Sequence, residues 1–111
     1  MAIQNKVLVD SKEMESAITT QYTCPANTVT IVDKFTATNV TGSAAVITVY
    51  FVPSGGAAGL TNKVIDTVTI GANSTEQLSA SIGQGLEAGD FIATEGTASA
   101  VTIRCTGREV S

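Results

Sequence analysis

The chain has 111 residues, a net charge of −4 and a pI of about 4.5, enough for one domain with one modest core. Six Lys+Arg against ten Asp+Glu supply too few cations for nucleic-acid binding or for an anionic membrane surface, so neither partner is expected. The absence of histidine and tryptophan removes the commonest general base, the usual serine and cysteine triads, most transition-metal sites and the best aromatic platform for sugars or bases.

The N-terminus, MAIQNKVLVDSKEMES, has one short apolar patch, Val7, Leu8 and Val9, followed at once by charges. That is no signal peptide, and no apolar run approaches the ~20 residues of a membrane span. A protein made and kept in a cytoplasm, or released by a route that needs no signal, is therefore expected. Asp10 with Glu13 three residues on offers a capping box for a short helix in DSKEMES. The other reading makes residues 1–16 an arm that orders on a partner, with Val7, Leu8 and Val9 as its binding residues. The folded domain is expected over 17–111.

Threonine, valine, alanine and glycine dominate the remainder, the composition of an all-β domain. In AITTQYTC, Ile18, Tyr22 and Cys24 share one face. Thr28–Val40 alternates clearly: Val29, Ile31, Phe35 and Ala37 on one face, threonines and Lys34 mostly on the other. Asp33 interrupts it, as a bulge or as a carboxylate bonded to neighbouring backbone. After a Thr41-Gly42-Ser43 turn, Ala44–Val52 is apolar on both faces. Ile47, Val49 and Phe51 lie on one side; Val46, Tyr50 and Val52 lie on the other and are the candidate subunit contact, unless a loop or arm of the same chain covers them.

Pro53 ends that strand. The loop Pro53, Ser54, Gly55, Gly56, Ala57, Ala58, Gly59, Leu60 has neither the phosphate-loop nor the dinucleotide spacing. The β-branched run Lys63–Ile70 follows, a strand rather than a helix, so no helix N-terminus receives an anion. Pro53, Ser54, Gly55, Gly56, Gly59 and Leu60 therefore form a turn at a tip or between subunits. Gly71–Ser74 is a turn, Thr75–Ala80 a short strand, Glu87–Asp90 a turn and Phe91–Thr94 the start of a strand. In SAVTIRCTGREV, Val101, Ile103 and Cys105 face inward. Seven or eight strands with closely spaced turns predict a single-domain antiparallel β-sandwich or jelly roll.

No residue is assigned a catalytic, metal or cofactor role, and an enzyme is not expected. Asp33, Asp66, Glu76, Glu87, Asp90 and Glu95 are the carboxylates available for paired acid–base work, and nothing in the sequence fixes their separation. Cys24 and Cys105 are expected as reduced core thiols, with a disulfide open if the first and last core strands are neighbours. Asn39-Val40-Thr41 and Asn73-Ser74-Thr75 match the glycosylation sequon and are read as chance matches.

The stretch YTCPANTVTIVDKFTATNVTGSAAVITVYFVPSGG resembles a group of small proteins encoded among tailed-bacteriophage structural genes. The matching segments are Tyr22–Thr28, Thr36–Asn39, Thr48–Gly56 and Leu86–Ile92, with the closing Ile103–Val110, where Cys105 stands at a position often small. The first 16 residues fit least. The resemblance implies a virion structural protein: first a capsid decoration or cement protein, often a trimer, bound to the major capsid protein on the head exterior. A head–tail connector, a tail or fibre-base component, and a receptor- or glycan-binding module are the alternatives.

Overall fold

Alternating side chains need two faces to bury against, and the chain supplies them by crossing between two antiparallel sheets. The computed structural model describes residues 2–97 and 99–111. Its strands are β1 (Ile3–Glu13), β2 (Thr19–Thr23), β3 (Val29–Asn39), β4 (Ala45–Val52), β5 (Lys63–Ile70), β6 (Thr75–Gln77), β7 (Gly85–Leu86), β8 (Phe91–Gly96) and β9 (Val101–Val110). One sheet has the order β1-β9-β3-β6, with β7 also on β3; the other has the order β2-β8-β4-β5. Only β4 and β5 are consecutive strands paired to each other among those described. The other connections leave one sheet for the other, or return to the same central strand, which makes the sandwich a jelly roll.

The core lies between the sheets, around Phe35, Ile47, Val49, Leu86, Ile92 and Ile103. β9 keeps strict period two, with Val101, Ile103, Cys105, Gly107 and Glu109 buried. β3 does not. Its register against β9 shifts between Val32 and Lys34, so Asp33 is a β-bulge. One extra residue moves every later side chain to the other face. Thr30 and Val32 are therefore buried before the bulge, and Phe35 and Ala37 after it. The single face expected for Val29, Ile31, Phe35 and Ala37 is corrected accordingly: Val29 is 46% exposed.

The expectation for residues 1–16 is also corrected, over residues 2–16 that the structure describes. Ile3–Glu13 is neither a helix nor an arm but the edge strand β1, antiparallel to β9. The apolar inner edge of β9 supplies the partner. Leu8 and Val9, adjacent and both buried, sit at a register shift between Val7 and Val9, and Met14 closes the segment in the core. The polar DSKE run lies on the rim, where Asp10 accepts from the Arg104 guanidinium at 3.0 Å and Lys12 pairs with Glu15 at 3.0 Å.

β4 is central in its sheet, between β8 and β5. Thr67 takes a left-handed φ of 49°, strained for a β-branched residue. Its N–H leaves the ladder for Thr48 Oγ1 at 3.1 Å, at the register shift between β4 and β5. Asn39 is fully buried and closes the next turn. Its Nδ2 donates to the carbonyls of Ser43 and Ile70 at 2.7 and 3.0 Å. That makes it a structural residue rather than a modified one.

The bulges at Leu8 and Asp33 fall beside adjacent steps of β9, Cys105–Thr106 and Thr106–Gly107, and at Gly107 a side chain has no room. A Cβ on Gly107 would stand 2.2 Å from the Ile31 carbonyl oxygen and 2.9 Å from Leu8 Cδ1. Gly107→Ala is expected to destabilise the fold by about 3 kcal/mol, the upper range for overpacking against backbone. Urea denaturation followed by circular dichroism measures it; an unchanged midpoint would contradict this packing.

Candidate assembly surface

Glu109 points inward by the alternation of β9 and is only 8% exposed. A carboxylate there must be matched by donors. Tyr22 Oη, from β2 in the opposite sheet, donates to Glu109 Oε2 at 2.5 Å and contacts Thr30 Oγ1 of β3 at 2.8 Å. Lys6 Nζ of β1 reaches Glu109 Oε1 at 3.3 Å. Cys24 Sγ extends the network to Thr30 Oγ1 at 3.2 Å and to the Thr28 carbonyl at 3.3 Å. Four strands are thereby tied at one carboxylate. Burial, then the bond to Glu109, pushes the Tyr22 phenol well above its ordinary range. The Lys6 end is wetter, with its side chain 44% exposed.

The outward residues of the same strands make a different surface. Ile3, Val110 and Val29 are register partners across β1, β9 and β3, and Ile3 is 63% exposed. Asn5, Arg108 and Ile31 form the next row on that face. Arg108 is held there by a two-pronged bond to Asp33, with contacts of 3.0 to 3.2 Å. Beside it lies an open hollow of about 520 Å³ lined by Asn5, Lys6, Val7, Asp33, Thr106 and Gly107. A contiguous apolar row on a sheet face, with Ile31 beside it, suits contact with another protein.

The residues nominated from sequence are not gathered here. Tyr50 and Val52 are buried with Ala93, and Ala58 and Phe91 pack against them. The loop after β4 thus covers the face expected to meet another subunit, and only Val46 remains partly open. Tyr50 Oη donates to Glu95 Oε2 at 2.9 Å, and Lys63 Nζ stands 6.0 Å from the ring centre. In the covering loop, Gly55 has φ +80°, and Asp90 Oδ1 accepts the Ser54 N–H at 2.9 Å. Pro53 O accepts from Gly56, and Gly59 donates to Asn62 Oδ1, both at 2.9 Å. Leu60 projects from this braced loop, 87% exposed. Of the expected arm residues, Val7 is exposed, whereas Leu8 and Val9 are core.

Both cysteines are free and buried. Burial, with a smaller contribution from Asp33, pushes the Cys105 thiol from its ordinary 9.0 up to about 12. The Glu109 network and the Ile3–Val110–Val29 row escaped sequence reading. The only signal was the alternation of β9, which puts Glu109 in and Val110 out.

No protein-family model and no curated protein matches the chain. Two solved structures share its fold. One is a Bacillus endospore appendage chain, from a family described as disulfide-linked pili: 18% identical, TM-score 0.57, covering 98% of this chain and 88% of that one. The other is a chain of infectious bursal disease virus, Gx strain: 13% identical, TM-score 0.54, covering 97% of this chain and 31% of that one.

The raised Cys105 and Tyr22 groups set an alkaline limit. Each contributes fully below its ordinary value, 9.0 for the thiol and 10.0 for the phenol, and its contribution is lost as pH rises towards the folded value. Stability in urea is therefore expected to fall progressively above pH 9.0. Cys105→Ala is expected to delay the onset towards pH 10.0, where Tyr22 begins to act. A Cys105→Ala profile parallel to wild type across this range would contradict the assignment.

Proposed function

We propose that the chain is a non-enzymatic structural subunit that works by packing against other proteins. The observation that carries this reading is the Ile3–Val110–Val29 row on the outer face of a jelly roll. The charged pair in the next row, Asp33–Arg108, is engaged with itself. Such a pair neutralises charge beside an apolar contact.

Within that class, the resemblance to tailed-phage structural proteins favours a capsid decoration protein. It would bind the major capsid protein on the head exterior, in many copies, as a homo-oligomer with the trimer favoured. The face of β1, β9 and β3 would meet the shell or a sister subunit, and the braced loop would present Leu60. A head–tail or tail location uses the same fold with another copy number.

A homopolymeric appendage is the second reading, favoured by the likeness to the pilus chain over nearly the full length of both. Here the linkage would have to be non-covalent at Cys24 and Cys105, because both thiols are buried.

Immunogold electron microscopy on particles from the producing cell separates these readings. Label on phage heads is expected. Label on tails or necks would move the chain to the connector reading, and label along filaments to the appendage reading. Antigen found only in the soluble fraction, with no particle of any kind, would overturn the structural reading.

A further inference from the structure

The first half of β1 is attached differently from the second. Ala2–Val7 is exposed at every residue, whereas Leu8 and Val9 are buried. The ladder to β9 runs in register from Ile3–Val110 to Val7–Thr106 and shifts at Leu8. Ala2 and Ser111 exchange backbone bonds of 2.8 and 2.9 Å at the very end. Lys6–Glu109 is the side-chain ion pair of this segment.

Lifting Ala2–Val7 away would therefore cost backbone pairing and one half-exposed ion pair, but almost no core. Leu8 and Val9 would stay as the anchor, and the register shift between Val7 and Val9 provides a break in the ladder at which to turn. Nothing described in its sheet lies beyond β1 to obstruct it. The surface left behind, Thr106–Val110, still has β3 on its other side and keeps Glu109 fixed by Tyr22. It is a preformed strand edge with a buried carboxylate waiting for a lysine. The segment that fits it residue for residue, charge included, is the same segment of a second copy.

We propose that Ala2–Val7 is an exchangeable strand, which pairs with Thr106–Val110 of a second copy and sets its Lys6 against that copy's Glu109. Strand exchange restores every pairing it breaks, so its balance is set by the hinge and by concentration rather than by new contacts. It rests on the assembly reading for its purpose, while the contact itself is tested apart from any particle.

Asn5 and Arg108 face each other across the ladder. Antiparallel partners stand about 4.5–5.5 Å apart at Cα, within disulfide range. Chains carrying Asn5→Cys and chains carrying Arg108→Cys, with different tags, are coexpressed, purified at high concentration and oxidised. Exchange predicts a covalent hetero-dimer as a major band on a non-reducing gel, absent when either variant is made alone. The double variant in one chain is expected to give covalent multimers beside the internally closed monomer. Only closed monomer from the double variant, with no hetero-dimer from folded single variants, would overturn exchange. Ile3→Cys with Val110→Cys repeats the test should loss of the Arg108–Asp33 pair impair folding. A phage or filament result under the microscope leaves this outcome unaffected, and the reverse also holds.

Discussion

The structure depends on the alternation of β9 and on what its two neighbours do to accommodate it. β9 carries an unbroken inward set from Val101 to Glu109. Both flanking strands slip register beside Thr106, β1 at Leu8 against the Cys105–Thr106 step and β3 at Asp33 against the Thr106–Gly107 step. Each slip changes which face the side chains occupy. It lets β3 bury Val32 and Phe35, three residues apart, and lets β1 bury Leu8 and Val9, which are adjacent. It also turns Asp33 outward to meet Arg108. Gly107 is the residue on which the two bulged strands close, because a Cβ there would strike the backbone of β3.

From that arrangement follow two unlike surfaces on the same three strands. Inward, Glu109 is drawn into a network with Tyr22, Thr30 and Lys6 that joins the sheets by polar contacts where the rest of the core joins them by apolar packing. Such a cluster adds less to stability than to geometry, since a buried carboxylate gains from its partners roughly what it loses in hydration. It fixes the ends of β1 and β9 against β2. Outward, the same alternation exposes Val110 between Ile3 and Val29. An interior specified this closely and an exterior left apolar at one end are what the proposed structural role requires.

Much of the fold was legible in the sequence. β5 was read with its observed ends, and the inward set of β9 from Val101 to Cys105 was correct, because alternation and bounding turns agreed. The double apolarity of β4 signalled a central strand. What covers its second face was not legible: the cover is a loop of glycine and alanine, whose Ala58 carries no apolar pattern. β1 was missed because its two buried residues are adjacent and its second half is polar, so neither period appears. The candidate surface was harder still. A lone glutamate near the C-terminus reads as solvated, and its partners come from strands far apart in sequence. A bulge at Asp33 was one of the two sequence readings and is present; its consequence, the reversed first half of β3, was missed because one aspartate does not say on which side of it the inward face changes.

The proposal in its homo-oligomer form is that copies of this chain pack against one another through the face built on β1, β9 and β3. Its most direct test is the solution mass by light scattering over a wide concentration range. The account predicts masses rising in whole multiples of 11.3 kDa, with a trimer favoured as the closed form, and their loss when Ile3 and Val29 are both changed to threonine. A mass of 11.3 kDa at every concentration would contradict it.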